Sequence, residues 1–195
     1  MLNEKTMEKI TEKIITDVKH LGVSAAAYFD VADSEIRFDA RFRELCENNA
    51  CGSYGRNYMC PPAVGSLEDC KRGILTYEQA LIIETIHPIE DPLDYEGMMD
   101  GGRIHDEHVN KVWDYIKDSK NAVGYKELKI LSAGGCRICH KCGIIDNAPC
   151  RAPEKAVSSI EAHCIDVAHL TTAHGLNYIN GENTVTYVAL FLVKY

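Results

Sequence analysis

Long apolar runs are missing from this chain of 195 residues, although 46% of its residues are hydrophobic. No stretch approaches the ~18 consecutive apolar residues of a membrane-spanning helix. Residues 1–6 mix charges with no apolar run behind them. We therefore expect no membrane segment, no export signal and a cytoplasmic location. A chain of this length can bury one compact core, so the sequence predicts a single domain over residues 1–195.

An excess of basic residues is missing as well. Lysine and arginine total 21 against 29 aspartates and glutamates, which gives a formal net charge of −8. A negatively charged chain repels phosphate backbones and anionic membrane surfaces. The sequence therefore predicts neither a nucleic acid nor a membrane as partner. The glycine patterns of nucleotide-binding loops are absent too, since the pair Gly101-Gly102 is too short to form one.

Cysteine is the residue in excess, with nine copies in a chain for which we expect no export. An odd number of cysteines and a reducing location argue against a disulfide framework. Metal binding or redox chemistry becomes the leading interpretation. Most of the cysteines fall into two groups, Cys46, Cys51 and Cys60 in the first and Cys136, Cys139, Cys142 and Cys150 in the second.

The second group has the more specific spacing, Cys136-x2-Cys139-x2-Cys142, followed by Pro149-Cys150. Two-residue spacers let a tight loop direct successive sulfurs at different irons of a cubane cluster, as in the bacterial ferredoxin run. We assign Cys150 to this group because it is near in sequence. A structural zinc site remains the alternative, although zinc sites usually use two separated Cys-x2-Cys pairs. His140 could replace a cysteine in either case.

The first group, Cys46-x4-Cys51-x8-Cys60, surrounds a glycine-rich stretch and predicts a second cubane site. The alternative is that one or two of these cysteines are buried apolar residues. Three cysteines leave one iron without a protein sulfur, and that iron could bind a small molecule. The side chains between the cysteines that could tune the site or contact a ligand are those of Tyr54, Arg56 and Tyr58.

Two cysteines remain unassigned. Cys70 lies in a predicted helix after Ser66, where core packing and ligation of the first site are both open. Cys164 has apolar neighbours at helical spacing, which predicts core packing. The histidines near it have no metal-ligand spacing and are expected to be surface or core residues.

The pattern of apolar residues predicts a mixed α+β fold, with a single sheet of about five strands covered by helices and two cysteine-rich, cluster-binding loops. The predicted strands cover residues 23–29, 35–38, 80–86, 128–131 and 184–195. The predicted helices run from Met7 to a stop at Gly22, from Ser66 over a short stretch, from about Arg103, and from Ser158 to Gly175. The last of these helices opens with the capping-box pattern Ser158-x-x-Glu161.

Residues 84–107 carry eight acidic side chains and one basic one, interspersed with proline and glycine. This composition predicts a solvated loop or lid, or else a docking site for a basic partner.

Several of these motifs occur together in one known family. The combination consists of Cys51-x2-Tyr54-Gly55-x-Asn57-x2-Cys60-Pro61-Pro62, the second cysteine group, and Ser158-x2-Glu161-Ala162-x2-Ile165-Asp166-Val167. It resembles a family of cysteine-rich prokaryotic proteins described as predicted metal-binding proteins of unknown function. The resemblance implies that the matching cysteines bind clusters in anaerobic metabolism. Where a glycine is expected before Ile165, this chain has Cys164.

The sequence therefore predicts an iron-sulfur redox protein that carries electrons to a partner protein. Two [4Fe-4S] clusters are expected, one on Cys136, Cys139, Cys142 and Cys150 and one on Cys46, Cys51 and Cys60. One alternative is an enzyme that binds a small molecule at an open iron of the first site. The other alternative is a zinc-stabilised interaction module.

Overall fold

A five-stranded sheet forms the centre of the structure. This computed structural model describes residues 4–118 and 125–195, with the backbone alone for residues 4–10. The strands lie in the order β1-β2-β5-β3-β4. All neighbouring strands are antiparallel except β3 and β4, which are parallel. The strands are β1 (Ala25–Asp30), β2 (Gln79–Pro88), β3 (Glu127–Ser132), β4 (Ser158–Ser159) and β5 (Thr184–Lys194).

Helices cover both faces of this sheet. The helices of the described residues are α1 (Glu4–His20), α2 (Ala40–Glu47), α3 (Leu67–Ile74), α4 (Tyr95–Lys117) and α5 (Val167–Ala173). One core packs α1 and α4 against side chains such as Leu81 and Phe191, and the other packs α3 and α5 against the intervening positions such as Ile82 and Leu190. Successive strand residues point to opposite faces, so β2 and β5 supply both cores. The mixed α+β prediction with one sheet is confirmed. None of the helices in the described residues is both long and apolar enough to cross a membrane.

Local signals placed several elements correctly. Helix α1 is followed by Gly22, whose φ of 98° is accessible to glycine at little cost. Helix α3 begins after Ser66, whose hydroxyl accepts a hydrogen bond from the amide of Asp69 while the Asp69 carboxylate accepts one from the amide of Ser66. This reciprocal pair is a capping box. The predictions of these two helices are confirmed.

The predicted strand over residues 35–38 is wrong. A single bridge between Phe38 and Ile165 forms there, and the amide of Asp39 donates to the carbonyl of Cys164 at 2.8 Å. The chain then enters α2, which the sequence did not predict, with the Asp39 carboxylate accepting from the amide of Arg41 at 2.9 Å. Apolar and polar residues alternate over 35–38, but among the described residues this segment has no long partner strand. It therefore forms one bridge and not a ladder of backbone hydrogen bonds.

The predicted helix over Ser158 to Gly175 forms only in its second half, so its predicted start is wrong. Ser158 and Ser159 pair with β3 as a short strand, and the Ser158 hydroxyl donates to the carbonyl of Met59 at 2.7 Å. A 3-10 turn over Glu161–His163 ends at Cys164, whose φ is 61°. Helix α5 begins only after Asp166, the residue that caps it. The Ser158-x-x-Glu161 pattern is therefore not a capping box in the fold.

The prediction of a loop or lid over 84–107 holds only for its middle. Strand β2 continues to Pro88 and α4 begins at Tyr95, so most of the segment is regular. The pair Gly101-Gly102 lies inside α4 and not in a loop. A Cβ atom at Gly101 would lie 3.0 Å from the Cβ of His87, whereas one at Gly102 would lie 3.5 Å from the Tyr187 ring. Glycine at 101 lets the helix approach the sheet closely.

A carboxyl group is buried on β2. Glu84 is 1% exposed, and its Oε1 has no hydrogen-bond partner in the described part of the chain. Burial disfavours the charged form and raises the pKa of Glu84 to about 7. Folding therefore changes the proton affinity of this side chain.

Candidate metal centre

The four cysteines of the second group face one small cavity. They lie in residues 133–157, which connect β3 to β4. Cys136, Cys139, Cys142 and Cys150 all line the cavity and all are free, half-buried thiols. The placement of Cys150 on the same cavity agrees with its assignment to this group. Four cysteine sulfurs are the protein ligands that an iron-sulfur cluster uses.

Backbone contacts hold this segment in its compact shape. A Cβ atom at Gly143 would lie 2.6 Å from the carbonyl oxygen of Pro149, so only glycine fits there. The amide of Ala148 donates to the carbonyl of Gly143 at 2.9 Å. The Arg151 guanidinium donates to the carbonyl of Lys141 at 2.6 Å. These contacts bring Cys142 and Cys150, eight positions apart in sequence, to the same cavity.

The cysteines of the first group differ in exposure. Cys46 lies in the last turn of α2, Cys51 is exposed in the following turn and Cys60 is buried. Burial raises the pKa of the Cys60 thiol to about 11, and the nearby sulfurs of Cys51, Cys46, Cys136 and Cys142 raise it further, in decreasing order. Cys60 is therefore close to thiols of both groups.

Direct contacts join the first cysteine segment, residues 46–60, to the second, residues 133–157. A Cβ atom at Gly135 would lie 3.4 Å from the Cys60 sulfur, which places backbone of the second segment against the first group. The side-chain amide of Asn57 donates to the carbonyl of Cys136 at 3.0 Å, and the Tyr58 hydroxyl donates to the carbonyl of Ala148 at 2.9 Å. The two segments therefore pack as one unit, although Cys60 and Gly135 lie 75 positions apart in sequence.

Comparison with known families agrees with this cysteine-rich unit. The family model described as predicted metal-binding protein (DUF2284) matches residues 30–193. The chain belongs to this family. The resemblance inferred from the cysteine motifs is thereby confirmed, and the matched region contains every cysteine of both groups.

No curated protein matches this DUF2284 chain. Solved structures with some likeness include an epoxyqueuosine reductase with a TM-score of 0.42 and 13% identity, covering 95% of this chain and 46% of that one. Epoxyqueuosine reductase from Bacillus subtilis has a TM-score of 0.42 and 12% identity, and the match covers 96% of this chain and 46% of that one. Epoxyqueuosine reductase with a tRNA stem loop has a TM-score of 0.38 and 12% identity, and the match covers 94% of this chain and 45% of that one. This chain thus spans less than half the length of those structures, and TM-scores below 0.5 carry no argument about function.

The donor set of this DUF2284 chain fits a thiolate-bound group. Within residues 4–118 and 125–195, no three or more histidine, cysteine, aspartate or glutamate side chains are grouped so that they could hold a single metal ion. An iron-sulfur cluster makes a different demand, because each cysteine binds its own iron. The seven thiols of the two groups are all free, and soft sulfur ligands suit iron-sulfur clusters.

Cys70 and Cys164 lie around an arginine that the sequence analysis missed. The Nη2 of Arg43 is 3.9 Å from the sulfur of Cys70 and 3.8 Å from the sulfur of Cys164, and it donates to the carbonyl of Ala162 at 3.2 Å. Both cysteines are buried. Arg43 belongs to α2, and predicting that helix would have placed its side chain toward this position.

The other candidate residues have simple contacts. Arg56 and His140 are exposed, and the amide of Tyr54 donates to the Asn49 side chain at 3.0 Å. His163 Nδ1 lies 3.2 Å from the carbonyl of Ser159, and burial lowers the pKa of His163 to about 4. His163 is thus a core residue, as expected for the histidines near Cys164.

Proposed function

We propose that this protein is an iron-sulfur redox protein that holds two cubane clusters and passes electrons to a partner protein. The second group would bind one cluster and Cys46, Cys51 and Cys60 the other. The observation that carries the proposal is the cavity lined by all four cysteines of the second group. Membership of a predicted metal-binding family supports it.

Bound clusters would supply reversible one-electron chemistry. The chain's own residues shape the surroundings of the cysteines. Asn57, Tyr58 and Met59 complete the wall of the small cavity of the second group. Low solvent exposure and hydrogen bonding are the main means by which a protein tunes such a site. The influence of thiols from both groups on Cys60 supports two sites that lie side by side.

The surface before and within α4 supports a partner of opposite charge. Leu93, Tyr95 and Met99 are 75%, 72% and 78% exposed. The acidic residues near them in sequence are Glu90, Asp91, Glu96 and Asp100. Exposed apolar side chains within a charged surface are typical of interaction sites. We infer a partner with a basic rim, so electron transfer to it should slow as salt concentration rises. A rate independent of salt would argue against this docking surface.

A second candidate function is an enzyme with an open iron at the first group. The contacts of Cys70 favour it, since its sulfur donates to the carbonyl of Val64 at 3.4 Å and lies beside Arg43. These contacts give Cys70 a packing role and leave the first group with three thiolates. Cyanide should then perturb the visible spectrum of the first cluster. An unchanged spectrum would favour the electron carrier.

The test is the iron, zinc and acid-labile sulfide content of protein purified without oxygen, together with its visible spectrum. About eight irons and eight sulfides per chain are expected for two cubane clusters. Cys136→Ser should retain about half of them, because it removes a ligand of one site only. Cys70→Ser is the matched control and should retain them all. Zinc without sulfide, or full iron in Cys136→Ser, would contradict the proposal.

A further inference from the structure

A second cavity lies between α4 and the start of the segment 133–157. Its volume is about 510 Å³, within the range of roughly 300–1,000 Å³ for small-molecule sites. Cys136 lines both this cavity and the small cavity of the second group. The larger cavity therefore adjoins the proposed cluster site and shares the start of the segment 133–157 with it, whereas α4 forms its other wall.

The rim of this cavity has a charge opposite to that of the whole chain. Its basic side chains are Lys117, Lys155 and Arg137, and its acidic ones are Asp106 and Asp114. Asp106 pairs with Arg137 at 2.9 Å. The Lys117 ammonium lies 4.0 Å from the centre of the Trp113 ring. The formal rim charge is thus +1 (three basic minus two acidic groups), in a chain with a net charge of −8.

A buried chain of polar side chains ends at the wall of this cavity. Ser132 lines the cavity and is 6% exposed. Its hydroxyl lies 3.1 Å from Nε2 of His105, and Nδ1 of His105 lies 2.8 Å from the hydroxyl of Thr85. Nε2 of His87 lies 2.9 Å from that same hydroxyl. Thr85 and His105 are each 1% exposed.

This chain can present a hydrogen-bond donor to the cavity. Burial lowers the pKa of His105 to about 3, so the imidazole is neutral and has one donor and one acceptor nitrogen. When His87 donates to Thr85 and Thr85 donates to Nδ1 of His105, Nε2–H donates to Ser132. In this tautomer the Ser132 hydroxyl accepts from His105, and its own proton is free to point into the cavity.

We propose that this cavity binds a small conjugated organic anion. The conjugated part packs against Trp113, the negative charge lies near Lys155, and an oxygen of the ligand accepts a hydrogen bond from Ser132. The cavity lies beside Cys136, so the bound anion would adjoin the proposed cluster site. That neighbouring cluster rests on the proposed function, whereas binding of the anion does not.

Intrinsic fluorescence tests the binding, because Trp113 is the only tryptophan in the chain. The purified protein is titrated with benzoate, cinnamate and nicotinate, and with the neutral amide of each. At least one acid should give a saturable fluorescence change, and its amide should bind about tenfold more weakly or worse, the order expected for losing one charged contact.

Two variants test the assigned contacts. Lys155→Gln and Ser132→Ala should each weaken binding of that acid by about tenfold. Lys71→Gln on α3 is the matched control and should bind like the parent. Lys155→Gln changes only the rim, so it remains informative if Ser132→Ala does not fold. No saturable change with any acid, equal binding of acid and amide, or parent-like binding by Lys155→Gln would overturn the proposal.

Iron and sulfide are measured on the same samples. Protein that binds the acid but contains no iron would refute the cluster proposal and leave the anion site standing. Protein with both clusters that binds none of the acids would refute the anion site alone.

Discussion

Replacing Glu84 with glutamine should make the protein more stable, and increasingly so as the pH rises. Glu84 is 1% exposed and lies on β2, an interior strand of the sheet. Its pKa is raised from 4.5 to about 7 by burial. A group whose pKa is raised on folding favours the folded state while it is protonated. That advantage is complete below the unfolded pKa and is lost as the pH rises through the folded pKa.

The size of the effect follows from the shift. A shift from 4.5 to about 7 corresponds to about 3 kcal/mol, at about 1.4 kcal/mol per pKa unit. At about pH 5.5 only about 1.4 kcal/mol of this is lost, and above about pH 8 nearly all of it is. Glu84→Gln is neutral at every pH. The difference in unfolding free energy between variant and parent should therefore grow by about 2 kcal/mol between those two pH values.

Urea denaturation of both proteins at the two pH values measures this difference. Any fixed cost of burying an amide instead of a carboxyl cancels in the comparison between pH values. The control is Glu68→Gln, which removes a carboxylate from the exposed surface of α3. The reasoning would be refuted if Glu84→Gln and the parent showed the same pH dependence of unfolding free energy.

Five further substitutions at four positions test packing, capping and backbone strain by denaturation. Gly102→Ala should stabilise α4 by up to about 1 kcal/mol. Gly101→Ala should be less stable than Gly102→Ala by about 1–3 kcal/mol, because its Cβ would lie 3.0 Å from the His87 side chain. Equal stability of the two variants would contradict the close approach of α4 to the sheet. Ser66→Ala should cost about 1 kcal/mol by removing the cap of α3, and no loss would show that the cap is dispensable. Cys164→Gly should be more stable than Cys164→Ala by about 1 kcal/mol, since φ at this position is 61°, and the reverse order would count against backbone strain there.

Local patterns predicted the elements that carry their own signals. The amphipathic α1, the capped α3 and the apolar strands β2, β3 and β5 all form near their predicted positions. The failures depend on contacts between distant residues. Strand β4 exists because Ser158 and Ser159 pair with β3, a contact that no local pattern reveals. Glycines 101 and 102 predicted a loop, yet Gly101 is needed for packing of α4 against β2.

The candidate metal centre was predictable in its residues but not in its arrangement. Spacing alone grouped the seven cysteines, and family membership agrees with metal binding. Their ligation itself stays a prediction. The contacts of Gly135 with Cys60 and of Asn57 with Cys136 depend on the sheet bringing two segments together. Arg43 and the His105 chain carry no motif, so only the three-dimensional structure places them.

The parallel pairing of β3 and β4 affects how the protein would respond to loss of a bound cluster. Leu131 pairs with Ser158 and Ser132 with Ser159, so the sheet holds both ends of the 25-residue segment 133–157 together. The entropy of closing that loop is offset by strand pairing and not by ligation. Without a cluster, the segment can open locally while the sheet remains folded. Hydrogen exchange of metal-free protein should then be fast within residues 133–157 and slow in β5, and the same chain could be refilled without refolding.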